Sequence, residues 1–342
     1  MKAAVLESFH KLLAIKEIDI SEPDSDEVTV EVKAVGLCLT DVHISEGKIP
    51  TVKLPLVPGH EFAGVVAKRG LGVDYIDIGD RVTVNIDVTC GRCEFCLVGE
   101  TNRCIHLIRI GFERNGGMEE YVNVPAANVE KLSEGVPFEK AAIIPDAVST
   151  MYRALKTLGE VTAGKEVAIL GIGGLGMQGI KIGKLLGAHV TCTSRNERKL
   201  EMAKALGADF VINTGRENFL DVARKSIGPF DVVIDNIGIR ESIRASVAAC
   251  KNGGRVVVVG YVEQQLEAPF YDIVIREKQI VGSRAATRNE FREVVNLVNS
   301  GQLDPDIGEL IPISQINQAL ENLNSGKYLT RSVLTFPFDS FD

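Results

Sequence analysis

Four of the chain's seven cysteines stand close together, and their spacing suits a metal site. Cys90, Cys93, Cys96 and Cys104 lie in the stretch TCGRCEFCLVGETNRC. Four thiolates at this spacing can surround one zinc ion and leave no position for water, which is the arrangement of a structural site. Two disulfides or four ordinary cysteines are the alternative, but Cys-x-x-Cys pairs in a chain without a recognisable secretion signal favour metal. We therefore predict one structural zinc ion, bound within residues 90–104.

A second feature with chemical meaning is the glycine pattern in VAILGIGGLGMQGIKIGKLLGA. Gly171, Gly173 and Gly176 form G-x-G-x-x-G, with Gly174 inside the pattern, directly after an apolar strand and at the start of a predicted helix. Glycine allows a tight turn and a close approach of backbone N–H groups to a pyrophosphate at the helix N-terminus. A glycine-rich turn without a ligand is the alternative, but the strand and helix around the motif favour dinucleotide binding.

The next strand end predicts which dinucleotide is bound. An NAD site usually has an acidic residue there, about 20 residues beyond the glycines, that binds the ribose 2′-hydroxyl. This chain reads HVTCTSRNERK, with Ser194 at that position, Arg195 directly after it and Lys199 close behind. A missing carboxylate and added cations suit a 2′-phosphate. We predict a preference for NADP(H), although these residues could also form only a solvated turn.

Composition and charge exclude several classes of function. The chain has 342 residues, of which 45% are hydrophobic and 25% charged, with a net charge of −8. An acidic balance argues against a nucleic-acid partner or an anionic membrane surface, and the apolar runs are too short to span a bilayer. The first residues lack the features of a signal peptide. We therefore expect a cytoplasmic protein with reduced thiols, no nucleic-acid partner and no membrane partner.

The pattern of apolar and turn residues changes near residue 148, which indicates two domains. Before that point, short apolar runs such as EVTVEVKAVG alternate with turn residues and predict a β-rich region. Residues 149–284 alternate apolar strands with helical stretches, which is typical of a parallel sheet covered on both faces. A helix and mixed short elements follow. We predict an α/β protein in which the second region is a doubly wound parallel sheet.

Two further motifs complete a resemblance to a known family. They are LCLTDVH at residues 37–43 and PGHEF at residues 58–62. Together with the four cysteines, the glycine motif and TRSVLTF at residues 330–336, they resemble the zinc-dependent medium-chain alcohol dehydrogenases, in the same order along the chain. The resemblance covers essentially the whole chain. It implies a β-rich GroES-like catalytic domain over residues 1–148 and 285–342, a Rossmann domain over residues 149–284, and a homodimer or homotetramer.

The resemblance also implies a second, catalytic zinc site, and so two zinc ions per chain. Cys38 and His60 match two of its ligands, and Asp146 takes the position where many members have a cysteine. One thiolate, one carboxylate and a neutral imidazole balance the charge of Zn²⁺, although carboxylate is the harder ligand. The alternative is that Asp146 lies outside the ligand shell and Glu61 coordinates instead; in the family this glutamate lies near the metal. Asp41 is expected to orient His60 by accepting from its other ring nitrogen.

The remaining assignments concern proton transfer and the cofactor. Thr40 is expected to accept the proton of the alcohol through its hydroxyl, and His43 to pass it on towards solvent, since imidazole titrates near neutrality. Arg331, in TRSVLTF, resembles the family's pyrophosphate-binding arginine.

The resemblance implies hydride transfer between a primary or secondary alcohol and NADP(H), so that the partner is a small alcohol, aldehyde or ketone. Three other readings remain open at this point, and one of them is an NADPH-binding protein without turnover that has a structural or regulatory role. A polyol or sugar dehydrogenase would use similar zinc chemistry, and an NADPH-dependent enoyl or quinone reductase would share the fold but lack the zinc ligands.

Overall fold

The computed structural model describes residues 1–261 and 268–338, which divide into two compact units. The first unit contains Met1–Ala147 and the described residues from Ala286 onward, and the second contains the described residues of Val148–Ala285. The β-rich unit is therefore discontinuous in sequence. None of the helices in the described ranges is long and apolar enough to cross a membrane.

The first unit is mostly β-sheet, with short helices around it. Its strands are β1 Lys2–Val5, β2 Ala14–Glu17, β3 Glu27–Gly36, β4 Phe62–Arg69, β5 Arg81–Val84, β6 Asp87–Val88, β7 Ile108–Arg109, β8 Tyr121–Pro125, β9 Val129–Lys131, β16 Leu310–Pro312 and β17 Val333–Thr335. Its helices are α1 Leu39–Ser45, α2 Glu94–Leu97, α3 Phe138–Ala142, α10 Arg288–Asn299 and α11 Ile316–Asn324. Seven strands form the main sheet in the order β16-β17-β3-β4-β5-β9, with β8 also paired to β3, and all its pairs are antiparallel except β16–β17.

The long strand β3 lies at the middle of this sheet and explains how the unit is assembled. Val28, Val30 and Val32 alternate along it and are almost fully buried in the main core, while Glu31 and Lys33, which flank Val32, are partly exposed. This two-residue period is the pattern of a strand with one face against the core. Towards its end, from residue 34 to 36, the strand is buried on both faces.

The second unit is a parallel sheet with helices between its strands. Its strands are β10 Glu166–Leu170, β11 His189–Ser194, β12 Phe210–Asn213, β13 Phe230–Asp235, β14 Cys250–Val258 and β15 Gln279–Gly282, and its helices are α4 Ser149–Tyr152, α5 Gly174–Leu185, α6 Glu197–Ala205, α7 Phe219–Val222, α8 Arg240–Ala249 and α9 Phe270–Ile275. The strand order is β12-β11-β10-β13-β14-β15, and every neighbouring pair is parallel. This is the doubly wound order of dinucleotide-binding domains. The predicted fold class is confirmed.

Candidate active site and metal centres

Strand pairing in the first unit brings three distant segments of the chain to one place. Val35 near the end of β3 pairs with Phe62 at the start of β4, and Gly36 pairs with Val333 at the start of β17. Cys38 follows β3, His60 precedes β4 and Arg331 precedes β17. Because β3 is antiparallel to both of the other strands, all three residues lie at the same end of these neighbouring strands. The sheet register therefore positions the residues of the candidate site.

Cys38, His60 and Asp146 form a group whose ligand atoms all lie within 4.8 Å of one another, and we call it the mixed-ligand cluster. The Sγ of Cys38 lies 3.6 Å from Oδ2 of Asp146, and Nε2 of His60 lies 3.9 Å from the same oxygen. Asp146 belongs to a π-helical turn at Ile144–Val148, a distortion that is frequent at functional sites. A thiol, an imidazole and a carboxyl group at this separation fit a zinc ion with an open fourth position.

Asp41 contacts two members of this cluster, His60 and Cys38. Its Oδ1 lies 3.2 Å from Nδ1 of His60, and its Oδ2 accepts a hydrogen bond from the backbone N–H of Cys38 at 3.0 Å. Asp41 is 1% exposed. Burial lowers the pKa of His60, but Asp41 and Asp146 outweigh burial and raise that pKa well above its ordinary value. Without metal the imidazole therefore holds a proton, which zinc binding must release.

Glu61 and Arg331 complete the surroundings of the mixed-ligand cluster. The Arg331 guanidinium lies 3.1 Å from Oδ2 of Asp146 and 3.4 Å from Oε1 of Glu61, and it donates to the carbonyl of Leu37 at 3.0 Å. The backbone N–H of Ala147 donates to Glu61 at 2.9 Å. Burial raises the pKa of Glu61 to about 8, against the opposing charge of Arg331. A second carboxyl group and a cation thus adjoin the ligands.

The contacts of Arg331 were missed by the sequence analysis, which assigned this residue only to the cofactor. Its side chain is 5% exposed and lies against Asp146 and Glu61. Its predicted contact with a pyrophosphate stays a prediction. No local sequence signal indicates the ion pairs, since they depend on the pairing of β17 with β3. Phe112 was also missed, and its ring lies 5.2 Å from that of His60.

Thr40 and His43 lie three residues apart on helix α1, and residues at that spacing lie on the same side of a helix. The hydroxyl of Thr40 is 3.3 Å from the Sγ of Cys38. Burial, followed by the charge of Lys48, lowers the pKa of His43, while Glu46 opposes the shift. The imidazole of His43 is therefore neutral at pH 7, as a group that accepts a proton must be.

The four clustered cysteines also meet, and we call residues 90–104 the cysteine lobe. Their Sγ atoms lie within 4.8 Å of one another, and those of Cys93 and Cys96 are 3.5 Å apart. Hydrogen bonds from the backbone N–H groups of Cys96 and Ile105 lower the pKa of Cys93 to about 6, which favours the thiolate. All seven cysteines are free, so the structure does not support two disulfides. Four sulfur atoms at these distances fit one tetrahedral zinc ion.

In the second unit, the glycines of the predicted dinucleotide motif form the turn between β10 and α5. Gly171 follows β10 with φ of +83°, a value that suits glycine, and Gly173 precedes the first residue of α5, Gly174. A Cβ on Gly176 would lie 2.5 Å from the carbonyl oxygen of Gly171, so only glycine lets the helix approach the turn this closely. The site of a Cβ on Gly173 is open, which leaves its backbone accessible to a ligand.

The residues predicted to select the cofactor lie at the end of β11. Ser194 is the last residue of that strand, and its hydroxyl accepts from the backbone N–H of Asn196 at 3.1 Å. Arg195 is exposed, and Lys199 is partly buried. Burial lowers the pKa of Lys199. Within the described ranges neither cation makes an ion pair, so both charges remain available to an anion.

Comparison with known proteins agrees with this geometry. A model of the alcohol dehydrogenase GroES-like domain matches residues 24–134, and a model of zinc-binding dehydrogenases matches residues 174–300. An alcohol dehydrogenase of Geobacillus stearothermophilus is 36% identical over an alignment of 342 positions that covers 99% of this chain and 100% of that protein. This chain belongs to the zinc-dependent medium-chain alcohol dehydrogenase family.

Solved structures of relatives differ in their cofactor. A crystal structure of an NAD-dependent alcohol dehydrogenase superposes with a TM-score of 0.92 at 31% identity, covering 98% of this chain and 100% of that one. A zinc-binding dehydrogenase of Sinorhizobium meliloti 1021, bound to NADP, gives a TM-score of 0.91 at 29% identity, covering 98% and 99%. Membership of the family therefore leaves the choice between NAD and NADP to the residues of this chain.

Proposed function

We propose that this chain is an NADP(H)-dependent zinc alcohol dehydrogenase that interconverts a primary or secondary alcohol with its aldehyde or ketone. The observation that carries the proposal is the mixed-ligand cluster, in which Cys38, His60 and Asp146 meet within 4.8 Å. The zinc-free enoyl and quinone reductases that share this fold lack such a set of ligands. The cluster therefore favours the alcohol dehydrogenase reaction.

The ligands and their neighbours have separate tasks in this proposal. A zinc ion held by Cys38, His60 and Asp146 would polarise the substrate oxygen and make an alcohol easier to deprotonate. Asp41 orients the imidazole of His60 so that Nε2 faces the metal position. Arg331 holds the carboxyl group of Asp146 in place through the contact at 3.1 Å. Glu61, whose pKa is raised, is a second carboxyl group near the metal position that could coordinate the ion in place of Asp146.

Proton transfer falls to Thr40 and His43 of helix α1. The Thr40 hydroxyl, two residues beyond a zinc ligand and 3.3 Å from its sulfur, can accept the substrate proton. His43 is neutral because its pKa is lowered, so it can receive the proton and release it to solvent. In the reduction of a carbonyl compound the same two groups supply the proton.

The cofactor assignment depends on the second unit. The backbone of Gly171–Gly176 and the N-terminus of α5 suit the pyrophosphate, with Gly173 and Gly174 at the closest approach. Ser194, Arg195 and Lys199 suit the 2′-phosphate because they offer a hydroxyl and two cations without a competing carboxylate. The proposal retains the contact of Arg331 with the pyrophosphate as an expectation.

The cysteine lobe has a structural task in the proposal. Cys90, Cys93, Cys96 and Cys104 would occupy all four positions around a second zinc ion, so no substrate could bind there. The proposal thus requires two zinc ions per chain with different roles.

The test is the initial rate of NADPH oxidation with aliphatic, branched, cyclic and aromatic aldehydes and ketones. We expect turnover of some of these compounds, loss of the rate when a chelator removes zinc, and recovery when zinc is restored. NADH at the same concentration should be the poorer reductant. A rate only with enoyl compounds or quinones, unaffected by chelation, would contradict the proposal. A rate only with ketoses, or with polyols in the reverse direction, would indicate a polyol dehydrogenase.

A further inference from the structure

The point where the strand order reverses lies between β10 and β13 of the parallel sheet. These strands are neighbours, and Leu170 at the end of β10 pairs with Asp235 at the end of β13. In an open parallel sheet, ligands bind beyond the carboxyl ends of the strands at this reversal, with one mononucleotide half on each side. The glycine turn and Ser194 belong to the β10–β11 side, which leaves the loops after β13 and β14 for the other half.

Asp235 is a buried acidic residue at this position, and it fastens the loop that follows it. The side chain is 0% exposed. Its Oδ1 accepts from the backbone N–H groups of Ile237 at 2.9 Å and Gly238 at 3.0 Å, and from the hydroxyl of Ser242 at 3.1 Å. Its Oδ2 accepts from the hydroxyl of Ser246 at 3.2 Å. One carboxyl group thus holds both the loop after β13 and the start of α8.

The same residue also holds the end of β14. Its backbone carbonyl accepts from the N–H groups of Val259 at 2.9 Å and Gly260 at 3.0 Å. The two loops touch through their backbones, because a Cβ on Gly238 would lie only 2.1 Å from the carbonyl oxygen of Gly260. Gly238 has a φ of +70°, which further excludes other residues.

This pair of loops contacts the glycine turn, which lies on the other side of the point where the strand order reverses. The side-chain amide of Asn236 donates to the carbonyl of Gly171 at 3.2 Å. The side chain of Ile237 also packs against Gly171: a Cβ added to Gly171 would lie only 2.9 Å from Cγ1 of Ile237. The loops after β10, β13 and β14 are therefore connected through Asp235 and its two successors.

We propose that Asp235 is a positioning residue for the nicotinamide half of the cofactor. It acts through the loops at residues 236–238 and 259–260, which it holds in the shape that the second mononucleotide needs. The inference rests on the proposed function, because it takes NADP(H) as the ligand. It adds a residue whose carboxyl group never touches the cofactor but decides how tightly its second half is held.

The hydrogen bonds make a specific demand on the side chain. Oδ1 faces two N–H groups and a hydroxyl, so that atom must be an acceptor, whereas Oδ2 faces only the hydroxyl of Ser246, which can also accept. Asparagine can meet both conditions, with its oxygen at the Oδ1 position and its amide donating to Ser246. Alanine meets neither and leaves the two N–H groups without their acceptor.

The test compares two probes that differ in the second half of the cofactor, bound to the full-length, zinc-loaded protein. NADPH contains both halves, and 2′-phosphoadenosine 5′-phosphate contains only the adenosine half. For Asp235→Ala we expect the Kd of NADPH to rise about tenfold or more, the effect of buried donors left unsatisfied, while the Kd of the smaller probe changes less than about twofold. Asp235→Asn should recover most of the NADPH binding.

Two further variants separate positioning from general damage to the fold. Ser246→Ala removes the contact of Oδ2 with helix α8 but leaves the contacts of Oδ1 with Ser242 and with the loop, so it should lower the Tm without changing the ratio of the two Kd values. Gly238→Ala pushes the same loops apart but keeps the carboxyl group of Asp235, to which the N–H of residue 238 donates, and it should reproduce the selective loss of NADPH. It carries the test if Asp235→Ala does not fold.

The outcomes are distinct from those of the proposed function. An equal loss of both probes, or unchanged NADPH binding in Asp235→Ala and Gly238→Ala, would overturn the role of Asp235. If the wild-type protein prefers NADH and 5′-AMP, the NADP preference is wrong, and the same ratio is then read with that pair of probes.

Discussion

The mixed-ligand cluster and the cysteine lobe lie in the same unit but are assembled differently. Cys38, His60 and Asp146 come from three separate segments: the pairing of β3 with β4 brings Cys38 and His60 together, and the π-helical turn Ile144–Val148 supplies Asp146. The four cysteines come from residues 90–104 and meet within one local loop. A dispersed set of ligands can position a reacting group against the rest of the fold, whereas a local set can only fasten its own loop.

The two clusters also differ in the groups that surround them. Around the mixed-ligand cluster lie Asp41, Glu61 and Arg331, three buried groups that are charged or able to become so. In the cysteine lobe, the groups that lower the pKa of Cys93 are backbone N–H groups and neighbouring thiols. Charged neighbours can adjust the affinity and reactivity of a metal ion, while backbone donors mainly stabilise thiolates. The comparison therefore predicts that damage to one cluster affects chemistry and damage to the other affects stability.

The largest effect is expected from Cys38→Ser, which removes a ligand of the mixed-ligand cluster. The loss of zinc should lower kcat/KM by about 10³-fold or more, equivalent to about 4 kcal/mol of transition-state stabilisation. Metal analysis should show a fall from two zinc ions per chain to one, and the Tm should change little. Full activity with two zinc ions retained would exclude Cys38 as a ligand.

Cys93→Ser tests the other side of the comparison. The cysteine lobe has little core of its own, since Leu97 and Val98 are each 73% exposed and α2 spans only Glu94–Leu97. Loss of its zinc should destabilise the protein by about 3 kcal/mol, or roughly 8 °C in Tm. The kcat of the molecules that remain folded should stay near that of the wild type. A fall in kcat as large as that of Cys38→Ser, at an unchanged Tm, would reverse the two assignments.

The same contrast explains what could be predicted from the sequence. The cysteine lobe and the glycine motif depend on spacing within one short segment, so their letters suffice to predict which residues meet. The grouping of Cys38, His60 and Asp146 required a resemblance to known proteins, because no spacing rule joins residues so far apart. The ion pairs of Arg331 follow from the pairing of β17 with β3, and a tertiary contact of that kind has no local signature.

A smaller effect on the mixed-ligand cluster is expected from Asp41→Asn. Asp41 accepts at Oδ2 from the N–H of Cys38 and faces Nδ1 of His60 with Oδ1, so one amide oxygen cannot serve both groups. The affinity of this site for zinc should fall about 10- to 100-fold. Competition with a chelator should release the first zinc ion faster than in the wild type and the second, from the cysteine lobe, at the same rate. Equal release rates in the two proteins would contradict the role of Asp41.

The smallest effect on either cluster concerns Glu119, a buried carboxyl group outside both. Glu119 is 3% exposed, and burial alone raises its pKa to about 8, whereas Glu61 has the same raised pKa with Arg331 beside it. A carboxyl group whose pKa is higher in the folded than in the unfolded protein favours folding when protonated. The protonated carboxyl group therefore makes its full contribution to the free energy of unfolding below about pH 4.5, and this contribution is lost as the pH rises through 8.

Glu119→Gln removes this titration and leaves that of Glu61 in place. The variant and the wild type should differ little in unfolding free energy at pH 5, and the variant should be more stable by about 3 kcal/mol at pH 8. Urea unfolding of the zinc-loaded proteins at the two pH values measures the difference. A constant difference between pH 5 and pH 8 would mean that Glu119 does not titrate in this range. A pH-dependent difference at unchanged kcat would separate this buried charge from the charges that surround the mixed-ligand cluster.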